Sequence, residues 1–152
     1  MYKKILVPLD GSQLAECTLE HAVAIANGCQ VHKVVLLAVV EIPQVSSFET
    51  FPQRDRDTKE IEQSAQDYLT KIAFRLAPQG VAVGTDVVRP VGTRDIAEEI
   101  LAYANDNEID LIIMSTHGRS GVTKWALGTV ADRVARASKV PVLLVSQPGC
   151  RK

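Results

Sequence analysis

Residues 34–40 read VVLLAVV, seven apolar positions in a row. A strand that is apolar on both faces is typical of a parallel sheet that helices cover on both sides. Four further strand-like runs lie along the chain, at residues 5–7, 81–88, 111–114 and 140–145. Amphipathic helical patterns separate the five runs. This alternation predicts an α/β fold built on an open, five-stranded parallel sheet with helices on both faces.

Short polar and glycine-containing signals mark where the helices begin and end. Ser12 is a predicted N-cap of the first helix, and Asn27-Gly28 predicts its end. Asp57 and Glu60 have the spacing of a capping box, which predicts that the second helix begins there. Residues 41–56 are predicted as a long loop, either a lid or a disordered excursion.

Length and composition narrow the class of protein. The chain has 152 residues, 46% of them hydrophobic, which suits one domain over residues 1–147 and a short tail at 148–152. Seventeen Lys and Arg against 18 Asp and Glu (net charge -1) argue against general nucleic-acid binding. The longest apolar run is far too short to span a membrane. With no signal peptide and no disulfide or metal spacing among three cysteines, the sequence predicts a soluble, cytoplasmic protein.

Two polar segments come directly after the first and fourth strands. They read PLDGS at residues 8–12 and STHGRSG at residues 115–121. If these strands are neighbours, both segments face one crevice at the carboxyl edge of the sheet, where such folds bind ligands. The second segment leads to a helix start at Gly128-Thr129, which suits a phosphate group, although glycines in such turns also serve steric purposes. The common nucleotide-binding glycine motifs and the hydrolase elbow are absent.

Single residues in these segments have a second interpretation. Asp10 can be a turn residue that orders the following helix instead of a ligand-binding carboxylate. His117 is better explained as a residue that orders its loop than as a catalyst. Both interpretations stay open on the sequence alone.

Three stretches taken together resemble the universal stress protein family over essentially the whole chain. They are residues 4–12, residues 36–40, and a closing set at 115–121, 128–131 and 140–145. The resemblance implies a Rossmann-like sheet of order 3-2-1-4-5. ATP-binding members carry a glycine, two residues, a second glycine, nine residues and Gly-Ser or Gly-Thr. Gly118 and Gly128-Thr129 fit this pattern, but Ser115 occupies the first glycine position, where a left-handed backbone would be strained.

The resemblance also implies roles for individual residues. The adenine and ribose end would be lined by Pro8, Asp10 and Val39. The phosphates would be wrapped by Ser115, Gly118, Arg119, Ser120 and Gly121. The phosphate cradle would be closed by Gly128, Thr129 and Val130. Mg²⁺ would screen the phosphate charge.

The function implied is that of an ATP-binding, nucleotide-dependent regulator in the stress response. Two alternatives remain: an interaction module of the same fold that binds no nucleotide, and a slow ATP hydrolase. The enzyme alternative is weak because only His117 offers a general base beside the phosphate loop. In the order 3-2-1-4-5 the last strand is an edge with apolar residues on both faces. This predicts a homodimer through that strand, and an unidentified protein partner is compatible with the same interpretation.

Overall fold

The five strands form one parallel sheet in the order β3-β2-β1-β4-β5. This confirms both the fold class and the strand order expected from the sequence. The computed structural model of the chain describes residues 1–41, 51–117 and 127–146, and within residues 51–56 it describes the backbone alone. No helix in these described parts is long and apolar enough to cross a bilayer.

The strands and helices alternate along the chain. The strands are β1 Lys4–Pro8, β2 Lys33–Val39, β3 Val83–Val88, β4 Leu111–Ser115 and β5 Val142–Val145. The helices are α1 Gln13–Glu16, α2 Thr18–Cys29, α3 Phe51–Leu76, α4 Ile96–Asp106 and α5 Thr129–Ala137, with a 3₁₀ turn at Ala77–Gln79.

The core is divided into two layers because successive residues of a strand point to opposite faces of the sheet. Ile5 and Val7 of β1 pack in the layer that α2 and α3 cover. Leu6, which lies between them, packs in the layer that α4 and α5 cover. All three side chains have no exposed surface. The continuous apolar runs of β1, β2 and β4 therefore reflect burial on both faces.

β1 is the central strand, and its neighbours decide where a ligand can bind. Ile5 and Leu6 pair with Leu111 and Ile112 of β4, while the other side of β1 pairs with β2. The chain therefore moves to one side of β1 with β2 and β3, and to the other side with β4 and β5. The carboxyl ends of β1 and β4 lie next to each other at the point where the strand order reverses.

Helix boundaries are where the sequence predictions need correction. α2 does not end at Asn27-Gly28 but continues to Cys29, and Gln30 closes it in the left-handed conformation with φ 54°. α3 begins at Phe51, with Pro52 in its first turn, where proline is tolerated because the first amides of a helix have no partner within it. Asp57 and Glu60 are thus interior to α3, and the predicted capping box there is wrong. Residues 51–56 are helical and residues 42–50 of the predicted loop lie outside the described residues.

Candidate functional site

A cleft of about 960 Å³ opens at the carboxyl edge of the sheet beside β1 and β2. The end of β1 contributes Asp10 and Gly11, and the end of β2 contributes Val39. One side of α3 forms a wall, with Ile61, Ala65 and Tyr68 among its residues, and Ile96 at the start of α4 completes the lining. The cleft therefore collects residues from four elements that are far apart in sequence.

Asp10 has two roles in this arrangement. Its Oδ1 accepts a hydrogen bond of 2.9 Å from the Ser12 backbone N–H, and the Ser12 hydroxyl accepts one of 3.1 Å from the Ala15 N–H. Ser12 is thus the N-cap of α1, as predicted. Gly11 between them has φ 81°, a backbone conformation that only glycine adopts without strain. The turn holds the Asp10 carboxylate at the cleft, where the side chain is exposed.

Tyr68 anchors the α3 wall to the first helical segment of the chain. Its hydroxyl donates to Glu16 Oε1 at 3.2 Å, and Arg75 donates to Glu16 Oε2 at 2.7 Å. Burial raises the pKa of Tyr68 well above its ordinary value, and the neighbouring Glu16 carboxylate raises it further. The phenol therefore stays protonated at neutral pH and serves as a hydrogen-bond donor.

The carboxylates at the cleft give it a negative character. Four acidic residues line it: Asp10, Glu41, Asp57 and Glu60. Among the residues that the structure describes, no lysine or arginine lines the same cleft. This end suits hydroxyl and amino groups, which can donate to carboxylates, and is unfavourable for phosphate.

The start of α5 lies beside the end of β4, which is the other half of the predicted crevice. The Gly128 N–H donates to the Thr116 carbonyl at 2.8 Å, and Thr116 N–H donates to the Val145 carbonyl of β5. A Cβ atom at position 128 would come within 3.1 Å of the Thr116 carbonyl oxygen, so glycine permits this close approach. Gly128 is the N-cap and has no side chain with which to cap the first turn. The first amides of α5 therefore receive no hydrogen bond acceptor from their N-cap side chain.

Ser115 and His117 order the turn after β4. The Ser115 hydroxyl donates to the His117 carbonyl at 2.6 Å, and Thr116 Oγ1 lies 2.9 Å from His117 Nδ1. Non-glycine residues with positive φ in the described parts of the chain are Gln30 and Glu108. Ser115 is not among them, so serine at the first motif position carries no left-handed strain.

The structure brings some of the predicted site residues together and leaves others apart. Asp10 and Val39 line one cleft, and Pro8 is the half-buried last residue of β1. Ser115 ends β4, while Gly128, Thr129 and Val130 form the start of α5. These four are not part of the cleft lining, which in the described residues stops at β1, β2, α3 and α4. Four predicted phosphate-wrapping residues lie outside the described residues: Gly118, Arg119, Ser120 and Gly121.

The sequence prediction missed a capping box at the start of α4, which an arginine of α5 connects to the start of α5. Asp95 is the N-cap of α4, its Oδ1 accepts from the Glu98 N–H, and Glu98 Oε2 accepts from the Asp95 N–H, each at 3.0 Å. Arg133 of α5 contacts both of these carboxylates. The signal was present as an Asp and a Glu three residues apart before an apolar helical stripe.

Comparison with known proteins places the chain in a family. The sequence model described as the universal stress protein family matches residues 1–146. Universal stress protein MJ0531 of Methanocaldococcus jannaschii is 31% identical over 97% of this chain and 84% of its own length. The solved structure of MJ0577 from the same organism has a TM-score of 0.83 at 31% identity and covers 97% of each chain. An Arabidopsis thaliana protein of this family, solved with AMP bound, has a TM-score of 0.64 at 18% identity, over 95% of this chain and 91% of that one.

Proposed function

The chain belongs to the universal stress protein family, and on this premise we propose that it binds ATP and acts as a nucleotide-dependent regulator in the stress response. The observation that carries the proposal is the cleft beside β1 and β2, next to the reversal of strand order between β1 and β4, which Asp10 and Val39 both line. A protein of the same fold solved with AMP bound supports an adenine nucleotide as the ligand class. The proposed location is the cytoplasm.

The charge distribution favours one orientation of the nucleotide. The four carboxylates at the cleft would repel phosphate, whereas ribose hydroxyls can donate hydrogen bonds to the Asp10 carboxylate. The start of α5, whose N-cap Gly128 has no side chain, offers amides and the Thr129 hydroxyl, which suit an anion. We therefore assign the base and ribose to the Asp10 and Val39 end. The phosphates are assigned to the β4–α5 end, together with Ser115 and residues 118–121 of the predicted motif.

Mg²⁺ enters this proposal as part of the nucleotide complex. The described residues contain no group of three or more His, Cys, Asp or Glu side chains that could hold a metal. Mg²⁺ keeps several waters and binds chiefly to nucleotide phosphates with only one or two protein oxygens. The described site is compatible with that mode of binding, in which the ion would screen the phosphate charge. The chain's own contribution would be to orient the base, ribose and phosphates.

The proposal is tested by calorimetry on protein that mass spectrometry shows to be free of nucleotide. We expect Mg-ATP to bind and the Asp10→Ala variant to lose affinity about tenfold, the size of one lost charge-assisted hydrogen bond. Ser12→Ala is the matched control, because it disturbs the same turn and leaves the carboxylate in place. The control should lose about 1 kcal/mol of stability with unchanged affinity.

Absence of binding at millimolar Mg-ATP, with an unchanged melting temperature, contradicts the proposal, because a ligand of the native state must raise apparent stability. That outcome favours the alternative of an interaction module of this fold. Steady ATP turnover that falls in a His117→Ala variant would instead favour the hydrolase. We expect slow hydrolysis at most, since His117 Nδ1 lies 2.9 Å from the neighbouring Thr116 hydroxyl.

We further propose a homodimer formed through β5. β5 is an edge strand, and Val142, Leu143 and Leu144 are half-buried in the single chain. Pairing with β5 of a second copy would give a neighbour to the edge that has none among the described strands. Val142→Lys should give a monomer by light scattering, whereas Val83→Lys, also the first residue of an edge strand, should not. A wild-type monomer at tens of micromolar would contradict the proposed dimer.

A further inference from the structure

We propose that Arg133 is a positioning residue that holds the phosphate end of the nucleotide site in register with its base and ribose end. The inference rests on the proposed function above. It concerns a side chain that is not part of the predicted ligand-binding set. Its basis is an ion pair between two helix starts, each of which belongs to a different half of the site.

Arg133 contacts the start of α4 at its capping box. Its guanidinium contacts the Asp95 carboxylate, and its Nη2 lies 3.2 Å from Glu98 Oε1. Asp95 and Glu98 are the two members of the capping box that begins α4. A planar guanidinium can serve two carboxylates at once, which gives the contact a fixed direction as well as charge.

Each of the two helix starts borders one half of the proposed site. Ile96, the residue after Asp95, lines the cleft assigned to the base and ribose. Thr129 lies one helical turn before Arg133, at the end of α5 assigned to the phosphates. The Gly128 N–H also fastens this end to the Thr116 carbonyl. Arg133 therefore connects the α5 start to the α4 start across the molecule's carboxyl edge.

Arg136 provides a matched comparison on the same helix. Its Nε donates to Asp132 Oδ1 at 2.8 Å, which is a contact within α5, and its side chain is 78% exposed against 45% for Arg133. Replacing either arginine removes one positive charge from α5. Only the replacement of Arg133 removes a contact between α5 and α4. The pair separates the positioning effect from the general attraction between a cation and ATP.

The expected consequence is a change in relative affinity. Adenosine needs only the base and ribose end, whereas ATP needs both ends at their correct separation. Without Arg133 the α5 start loses its ion pair with the capping box of α4 and keeps only the apolar packing between the two helices, so ATP should weaken more than adenosine. We expect the ratio of ATP to adenosine affinity to fall about fivefold in Arg133→Gln, which is the size of a well-oriented surface ion pair.

The experiment is calorimetric titration of ATP with Mg²⁺, and of adenosine, into the full chain. Arg133→Lys should recover part of the ratio, because it keeps the charge and loses the fork, and Arg136→Gln should leave the ratio within about twofold of wild type. Glu98→Gln combined with Arg133→Gln should show a non-additive effect on ATP affinity. If Arg133→Gln does not fold, Arg133→Lys and Glu98→Gln carry the test.

Equal ratios in Arg133→Gln and Arg136→Gln would overturn the inference, as would strict additivity with Glu98→Gln. In that case wild-type ATP binding would still support the proposed function. A wild-type protein that binds neither ATP nor adenosine overturns the proposed function, and the inference falls with it. The two failures are therefore distinguishable by the wild-type titration alone.

Discussion

The polar groups at the two edges of the sheet make different interactions. At the amino edge, Asp110 Oδ2 accepts from the Lys3 and Lys4 backbone N–H groups at 2.7 and 2.9 Å, and Lys4 Nζ donates to the Asn107 carbonyl at 2.7 Å. At the carboxyl edge, Asp57 and Glu60 line the cleft without an ion pair to any described residue. Asp110 fastens the chain at the amino edge, whereas Asp57 and Glu60 at the carboxyl edge face the cleft. This difference favours stability at the first edge and ligand contact at the second.

The largest effect should come from the amino edge. Asp110→Ala removes the acceptor of two backbone amides and should lower the free energy of unfolding by about 2 kcal/mol. Asp106→Ala, an exposed carboxylate four residues earlier, is the control and should change it by less than about 0.5 kcal/mol. Denaturant melts give both values. If Asp110→Ala kept the fold but lost ATP affinity, the proposed division between a stabilising edge and a ligand-binding edge would be wrong.

The same carboxylate makes a signed prediction about pH. Hydrogen bonds from the Lys4 and Lys3 amides hold the pKa of Asp110 below its ordinary value of 3.8. Its contribution to stability is therefore complete above the unfolded pKa and is lost as the pH falls through the lower folded pKa. The difference between wild type and Asp110→Asn in urea melts should shrink below about pH 4. A difference that grows on acidification would contradict this assignment.

A glycine at the carboxyl edge should affect binding. In Gly128→Ala the new Cβ meets the Thr116 carbonyl oxygen at 3.1 Å, so the turn after β4 must move away from the α5 start. We expect ATP affinity to fall about tenfold, because a small displacement of a binding group has a large effect. Calorimetry measures the affinity. Unchanged affinity with an intact melting transition would remove this turn from the binding site.

Gly28, near the end of α2, is the opposite case. A Cβ atom there meets nothing within 4 Å, and the residue lies within the helix. Gly28→Ala should therefore raise the free energy of unfolding by about 0.5 kcal/mol and leave ATP affinity unchanged. Destabilisation would mean that the α2 end is more constrained than its open surroundings indicate. Together the two glycine variants test whether backbone approach matters only where a ligand is proposed.

The sequence predicts the buried part of this molecule better than its margins. Apolar runs such as residues 34–40 pack between two helical layers and predict β1, β2 and β4, whereas β3 is a more polar strand at the edge of the sheet. The strand order came from the resemblance to a family, because apolar runs alone do not say which strands are neighbours. Ser12 was predicted as an N-cap from its position before a helical stripe. The amino-edge clamp by Asp110 was missed, since its partners are backbone amides 106 and 107 residues away.

The site was predicted unevenly for a related reason. The segment with Asp10 was predicted because it follows the first strand directly, whereas Val39 was implied by the resemblance to the family. Glu60 was predicted as part of a capping box and not as a site residue, because its spacing in α3 does not show that this helix walls a cleft. Asp95 and Glu98 form a capping box at the start of α4, whereas Asp57 and Glu60 have the same spacing but lie inside α3, so the spacing alone does not identify a helix start. Local motifs thus predict elements, whereas the contacts between elements need the folded chain.

The smallest expected effect concerns the carboxylates of α3. If they face the base and ribose, and the phosphates lie at the far end, they repel ATP only weakly across the cleft. The double variant Asp57→Asn with Glu60→Gln should therefore bind ATP about twofold more tightly than wild type at low ionic strength, and this gain should disappear at about 1 M salt. Glu20→Gln, an exposed acidic residue on α2 that does not line the cleft, should show no gain. A loss of ATP affinity in this double variant would mean that these carboxylates accept hydrogen bonds from the ligand. A gain of tenfold or more would place the phosphates beside them and would reverse the proposed orientation of the nucleotide.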